Sequence, residues 1–151
     1  MKDVIQRVCR ASVSIDGSIA GEINHGLLIY LGGEGFRLAG QTAWLADKIV
    51  NLRIFDVSRQ NKTKHSLKDI AGAALVVSQF TLLADVCIGR RPSFSDAADP
   101  EHAQQLFIHF VDLMRQHVPV QTGVFGADMQ VSCENDDPFT LVVEHPPTTN
   151  H

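Results

Sequence analysis

The stretch ALVVSQFTL, residues 74–82, decides the fold, because it reads as a buried strand with polar chemistry at its end. Its apolar half, Ala74 to Val77, has the continuous hydrophobicity of a buried strand. Ser78, Gln79 and Thr81 then supply two hydroxyls and an amide, each of which needs a hydrogen-bond partner. Strand ends are also where loops and ligands meet a rigid scaffold. This strand end is therefore either bonded to neighbouring backbone or part of a site.

Upstream of this stretch, the sequence predicts strands followed by one helix. The first strand leads into Asp16-Gly17, a dipeptide that suits a tight hairpin turn. Gly26 to Leu31 is a continuous apolar run of strand length, bounded by glycines. From Phe36 to Leu52 the apolar residues fall at helical spacing instead, which predicts a helix packed on the sheet.

Downstream, a second helix and several short strands are predicted. Asp99 followed by Pro100 indicates a helix start, because the carboxylate can cap free amides and proline is tolerated in the first turn. This helix is expected to end near His117. Three strand-like segments follow near residues 121–125, 128–133 and 139–143, with a turn at 135–140 between the last two.

These elements together predict the fold class. About eight strands, mostly in consecutive runs, and two long helices indicate an α+β domain. Its antiparallel-rich β-sheets are expected to curl into a barrel-like core with the two helices flanking it. The 151 residues, 44% of them hydrophobic, are enough for one core. A single domain is expected over residues 1–144, and the tail 145–151, which has no apolar pattern, is expected to fray.

Composition restricts the location and the partners. No apolar run approaches the roughly 18 residues of a membrane span, and no export signal is visible. Three cysteines without a CxxC pair fit a reducing cytoplasm. The net charge of −4 argues against general nucleic-acid affinity, but segment 53–68 carries +4 and leaves −8 elsewhere. Such asymmetry indicates either a face that guides one phosphate-bearing ligand or a solvated basic loop.

Motifs for metals and nucleotide cofactors are missing. The sequence contains no GxSxG, no HExxH and no Walker loop. His102, His109 and His117 share one predicted helix, but their spacing places successive imidazoles roughly 10 Å or more apart, too far for one zinc shell. We therefore predict no metal and no cofactor, and no histidine is placed as an evident general base.

Two segments resemble the signatures of the D-aminoacyl-tRNA deacylase family. VVSQFTL, residues 76–82, is similar to the signature strand of that family, and NDDPFT, residues 135–140, is similar to its second signature, which normally contains Gly-Pro. The resemblance spans essentially residues 1–144. Further segments that resemble the family, in family order, are IQRVCRASVSIDG (5–17), NLRIF (51–55), RPSFSDAA (91–98) and QTGVFGADMQV (121–131).

The resemblance implies a homodimeric hydrolase for chiral proofreading in translation. Its reaction is hydrolysis of the ester between a D-amino acid and the 3′-terminal adenosine of tRNA. Each active site is expected at the subunit interface, where the signature strand of one chain meets the proline turn of the other. The implied catalytic residues are Ser78, Gln79, Phe80 and Thr81, and those for substrate binding and chiral selection are Met129, Asp137, Pro138 and Phe139. The residues expected to bind tRNA are Lys62, Lys64, Arg90 and Arg91.

The family mechanism relies on backbone groups and the 2′-hydroxyl of the RNA more than on a side-chain nucleophile. An ester needs little activation, so positioning and an oxyanion-type contact can suffice. The amides of Gln79, Phe80 and Thr81 are the expected donors, and Phe80 and Met129 are expected to wall the pocket. The alternative, Thr81 as nucleophile in an unrelated hydrolase, lacks a visible base.

One residue departs from the family pattern. Asp137 stands before Pro138 where the family normally has glycine, whose backbone carbonyl faces the amino group of the substrate across the dimer. Glycine adds no side chain and permits backbone angles that other residues resist. The carboxylate of Asp137 either points away, attracts the substrate ammonium or fills the site. The alternative function is therefore a tRNA-binding or nucleic-acid-binding relative with lost or altered activity.

Overall fold

The computed structural model describes residues 2–33, 39–56, 64–95 and 97–144, except for the side chains of Ala39 and Lys64. The predicted fraying of the tail 145–151 and the predicted tRNA contact of Lys62 lie outside these residues. The strands are β1 (Lys2–Ile15), β2 (Ser18–Ile23), β3 (Gly26–Leu31), β4 (Phe55–Asp56), β5 (Lys64–His65), β6 (Ala73–Ser78), β7 (Val120–Thr122) and β8 (Gln130–Glu144). The helices are α1 (Ala39–Asn51), α2 (Pro100–Arg115) and a short 3₁₀ helix, Phe80–Leu83.

One mixed sheet forms the centre of the fold. Strand β8 pairs antiparallel with β1 along one edge, so β2 and β3 both take the other edge, also antiparallel. Strand β3 then pairs with β6, and β6 with β7, in parallel. The sheet curls until β2 meets β7, where a Cβ added at Gly21 would lie 2.7 Å from the Thr122 carbonyl oxygen. The predicted α+β, barrel-like architecture with two flanking helices is confirmed.

The core has two parts, one on each face of the curled sheet. On the convex face, α1 and α2 pack through fully buried side chains such as Leu45, Ile49 and Phe110. Inside the curl, apolar side chains of β1, β3 and β6, including Leu28 and Leu75, form a second cluster. Because helices cover one face only, the sheet must close on itself to bury the other.

Close approach of β3 to β6 requires a glycine at one position. A Cβ at Gly26 would clash with the carbonyl oxygen of Ala73, a backbone atom that cannot move without breaking the strand pair. This pairing matters for function, because β6 ends at Ser78, the start of the polar strand end.

Several local predictions hold because they depend on neighbouring residues. The Asp16-Gly17 turn joins β1 to β2, with both residues at positive φ. Asp99 caps α2, and its Oδ1 accepts a hydrogen bond of 3.1 Å from the backbone amide of His102. The basic segment 53–68 contains the short antiparallel pair β4–β5, which the sequence pattern did not indicate. No helix in the described part of the chain is long and apolar enough to cross a membrane.

The prediction of a turn between two strands at residues 135–140 is wrong. This stretch lies inside the single strand β8, and both halves of β8 pair with β1. Gln6 pairs with Thr140 and Val8 pairs with Asn135, so four residues of β8 stand opposite Arg7 alone. The acidic, proline-containing stretch therefore forms a large, four-residue bulge in an edge strand that continues on both sides of it, and proline is tolerated in edge strands and at bulges. We call residues 136–139 the bulge.

Candidate functional site

The polar strand end lies where the sequence predicts it, at the carboxyl end of β6. Ser78 is the last residue of the strand and pairs with Leu31 of β3. The backbone amide of Gln79 donates a hydrogen bond of 2.9 Å to the carbonyl oxygen of Leu31. Of the three predicted amide donors, that of Gln79 is therefore occupied by the sheet, and its assignment as a donor to substrate is wrong.

The amides of Phe80 and Thr81 are in a different position. They open the 3₁₀ helix, and the first N–H groups of any helix have no partner within it. Neither amide has a hydrogen-bond partner among the described residues. The side-chain amide of Gln79 donates to the hydroxyl of Thr81, which orients that hydroxyl over the helix start. The end of β6 thus carries two neighbouring backbone donors that no described residue occupies.

Aromatic and sulfur-containing side chains border the strand end on two sides. The Phe80 ring is 54% exposed and lies 5.1 Å, centroid to centroid, from the ring of Phe94. On the β7 side, the backbone amide of Gly123 donates a hydrogen bond to the carbonyl oxygen of Val76. A Cβ added at Gly123 would lie only 2.5 Å from the sulfur of Met129. Met129 therefore packs beside the carboxyl end of β6, and its role in a pocket stays a prediction.

The bulge has an unusual backbone. The Asp137-Pro138 peptide bond is cis, and Asp137 has a φ of 98°, in the region that favours glycine. The aspartate side chain is largely exposed. The family resemblance placed glycine at this position, and the structure shows why: the backbone angle suits glycine, and Asp137 adopts it nonetheless.

Arg7 is the residue that holds the bulge, and the sequence did not single it out. Its side chain is 5% exposed and fills the space that the bulge leaves on β1. Its guanidinium donates to the Ile54 carbonyl oxygen at 2.5 Å and lies 5.0 Å from the centre of the Phe139 ring. It also lies 3.4 Å from a carboxylate oxygen of Asp137. The only sequence signal for its role is a charged residue in a predicted strand that also contains the apolar residues Ile5 and Val8.

Two further carboxylates surround the same guanidinium. Asp136 lies 3.3 Å and Asp56 3.9 Å from Arg7 nitrogens, and His25 Nε2 lies 3.9 Å from Asp136. With Asp137, three carboxylates therefore share one arginine, with a histidine at the edge. This excess of negative charge gives the bulge an anionic surface, and the Arg7 contact holds the Asp137 carboxylate on the β1 side of the bulge.

The strand end and the bulge of one chain are far apart. Both lie on the same sheet, but β6 and β8 are three strand spacings apart, which is about 14 Å across the sheet. Along the strands, Ser78 is about four residues, or about 13 Å, from the level of Arg7 and the bulge. A site that uses both must therefore combine two copies of the chain.

The hairpin arm, residues 85–93, extends from the strand end and carries two of the residues predicted to bind tRNA. Arg90 and Arg91 are exposed near its tip. Asp85 accepts a hydrogen bond from the Cys87 amide, which lowers the pKa of that carboxyl, while the nearby carboxylate raises the pKa of the Cys87 thiol. Lys64, the other described residue predicted to bind tRNA, lies in β5.

The charged groups do not form a metal site. In the described ranges, no three histidine, cysteine, aspartate or glutamate side chains are grouped to hold a metal ion. The described histidines of α2 and the acidic residues of the bulge are no exception.

Fold and site together define the class: an α+β protein whose barrel-like sheet presents a polar strand end and an arginine-held proline bulge. The chain belongs to the D-Tyr-tRNA(Tyr) deacylase family, whose model matches residues 4–144. It is 51% identical to a D-aminoacyl-tRNA deacylase of Chlorobaculum tepidum, over 97% of this chain and 98% of that protein. A relative of the same name from Fervidobacterium nodosum is 49% identical, over 95% and 97%.

Two solved structures share this fold. A structure named c-Myc DNA Unwinding Element Binding Protein is 35% identical, with a TM-score of 0.91 over 97% of this chain and all of that one. A second, described as a probable eukaryotic D-amino acid tRNA deacylase, is 16% identical with a TM-score of 0.82 over 94% and 97%, and shows the fold alone. The family resemblance predicted from the sequence is confirmed.

Proposed function

We propose that this protein hydrolyses the ester bond of D-aminoacyl-tRNA and releases free D-amino acid and tRNA in the cytoplasm. The observation that carries the proposal is the pair of amides of Phe80 and Thr81 at the end of the signature strand, which have no hydrogen-bond partner among the described residues. Family membership and relatives about 50% identical along the whole chain support the reaction class.

The chemistry follows from what the strand end offers. Attack of water on the ester carbonyl places negative charge on its oxygen, and preorganised N–H donors stabilise that charge where it develops. The amides of Phe80 and Thr81 are such donors. The Thr81 hydroxyl accepts its hydrogen bond from an amide and has no carboxylate or histidine partner among the described residues, so nothing activates it as a nucleophile.

The second half of the site is supplied by a partner subunit. The distance between strand end and bulge within one chain supports a homodimer in which the bulge of one copy enters the strand-end pocket of the other. The Asp137 carbonyl would then face the substrate amino group and leave no room for the side chain of an L-amino acid. The Arg7 contact supports an open pocket, because it draws the Asp137 carboxylate toward β1.

Purified protein is expected to release tyrosine from D-Tyr-tRNA and to spare L-Tyr-tRNA. The physical reason is that only the D-isomer directs its side chain away from the Asp137 carbonyl. Release of radiolabelled tyrosine at micromolar enzyme measures both rates. Equal rates for the two isomers, or no release from D-Tyr-tRNA, would refute the proposed function.

A substitution at Asp137 separates this proposal from the alternative of a nucleic-acid-binding relative without activity. That alternative is favoured by the aspartate at a glycine-type φ and by the DNA-binding name of the 35% identical structure. If the enzyme is active, Asp137→Gly is expected to change the D-Tyr-tRNA rate less than about threefold and to stabilise the fold by up to about 1 kcal/mol, since positive φ costs other residues about that much.

The control is Asp137→Asn, which removes the charge but keeps a side chain that tolerates positive φ. Hydrolysis that is absent in the natural chain and appears in Asp137→Gly would support the alternative. Thermal or denaturant unfolding of both variants measures the stability, and tyrosine release measures the activity.

A further inference from the structure

The hairpin arm is built as a rigid projection of the strand end. Asp85 and Ser93 exchange both backbone hydrogen bonds, at 2.7 and 2.9 Å, which closes the base of the arm. The Cys87 amide bonds the Asp85 carboxylate at 2.9 Å, and Gly89 turns the tip with a φ of 71°. The arm starts two residues after the 3₁₀ helix and returns directly into Phe94, which packs on Phe80. Both of its ends are therefore fixed to the candidate site.

The tip of the arm combines exposed apolar and cationic side chains. Ile88 is 87% exposed and Val86 66%, which are high values for aliphatic residues. Arg90 and Arg91 are exposed beside them, and neither forms an ion pair with any described residue. The only acidic residue of the arm, Asp85, is occupied by the Cys87 amide. The tip is thus a cationic surface with an apolar centre.

From this geometry we infer that the arm binds the single-stranded 3′ end of the tRNA, on the nucleotides that precede the esterified adenosine. The inference rests on the proposed function and deepens it. Phosphates of these nucleotides pair with Arg90 and Arg91. An RNA duplex offers side chains little besides phosphates and hydroxyls, whereas unstacked bases of a single strand offer faces to apolar side chains. Ile88 and Val86 match the single strand for that reason.

The position of the arm fits the same assignment. When the ester lies on the Phe80 and Thr81 amides, the chain of the RNA must leave the site past one of its walls. The Phe80–Phe94 pair and the arm form one such wall, continuous with the 3₁₀ helix. The three residue steps from Asp85 to Ile88 can reach at most about 10 Å, which allows the arm to contact more than the terminal nucleotide.

Two substrates test this inference: D-Tyr-tRNA and the small ester D-tyrosyl-adenosine, which lacks the preceding nucleotides. Replacing Arg90 and Arg91 together by alanine is expected to raise the KM for D-Tyr-tRNA roughly tenfold and to lower the salt slope of binding by about 1.4, since each phosphate contact of a single strand contributes about 0.7. The kcat and the hydrolysis of D-tyrosyl-adenosine are expected to stay unchanged. Arg115→Ala, which removes an exposed arginine at the end of α2, is the matched control.

Ile88→Ser tests the apolar tip separately. It is expected to weaken tRNA binding about fivefold, because serine loses most of the apolar area that isoleucine buries against a base. Ile19→Ser removes another exposed isoleucine, from β2, and is expected to change nothing. Filter binding of uncharged tRNA gives the same comparison without turnover.

The outcomes distinguish RNA binding by the arm from a structural role and from a contact between subunits. Loss with D-Tyr-tRNA alone supports the inference. Equal loss with both substrates would mean that the arm only supports the fold of the site, and no loss with either, or in filter binding, would overturn the inference. Dissociation of the dimer by Ile88→Ser in sedimentation velocity would make the tip a subunit contact instead. A wild-type chain that hydrolyses neither ester would refute the proposed function, while tRNA binding would still test the arm.

Discussion

Replacement of Phe80 by proline is expected to lower the kcat for D-Tyr-tRNA hydrolysis about 10²–10³-fold relative to Phe80→Ala, the loss found when one oxyanion donor is removed. Proline lacks the backbone N–H, whereas alanine lacks only the ring. The comparison therefore isolates the amide, which no side-chain substitution can remove, from the aromatic wall of the pocket.

The position suits this substitution. Phe80 opens the 3₁₀ helix, where proline is tolerated, and its amide has no partner among the described residues to lose. Gln79 has a φ of −143° and a ψ of 81°, outside the α region that a following proline disfavours. Unfolding curves of the two variants are expected to coincide. Equal kcat values for Phe80→Pro and Phe80→Ala would show that this amide does not stabilise the reacting oxygen.

Arg7→Met is expected to destabilise the fold by about 2–4 kcal/mol, because it leaves the Ile54 carbonyl unpaired and three carboxylates without their shared cation. The bulge then loses its anchor. A displacement of about 1 Å in a site can cost about 100-fold in rate, so hydrolysis of D-Tyr-tRNA is expected to fall by that order. Urea unfolding and tyrosine release measure the two effects.

Arg10→Met is the matched control for Arg7. Arg10 lies on the same strand, but its side chain is exposed and pairs with Glu134 at the surface. Surface pairs contribute about 0–1 kcal/mol, so this variant is expected to keep its stability and activity. Wild-type activity in Arg7→Met at a temperature where it is folded would show that the bulge needs no such anchor.

Local sequence predicts the parts of the fold that depend on neighbouring residues. The Asp99 cap, the Asp16-Gly17 turn and the polar end of β6 are confirmed because each follows from a few adjacent side chains. The amide of Gln79 was assigned wrongly, because its bond to Leu31 depends on the pairing of β3 with β6. Periodicity describes a strand but does not indicate which strand it will pair with.

The bulge illustrates the same limit. Two acidic residues and a proline interrupt the strand pattern, and an interruption reads as a turn. Only the register of β8 on β1, which joins residues about 130 positions apart, shows that the strand resumes on the same partner. The partners of Arg7 come from β4 and β8, so no spacing within β1 could identify them. The family resemblance does not depend on strand pairing, and it marks Pro138 as part of the second signature of the family.

The central claim is that the strand end of one subunit and the bulge of its partner form one site. It is tested most directly by a hybrid dimer, purified through two different tags, in which one chain carries Phe80→Pro and the other Arg7→Met. If the site is shared, one of its two sites combines an intact strand end with an intact bulge, so about half of the wild-type activity is expected in a two-fold symmetric dimer. If both elements act within one chain, each subunit carries a defect, and activity no higher than that of the two parent variants would contradict the claim.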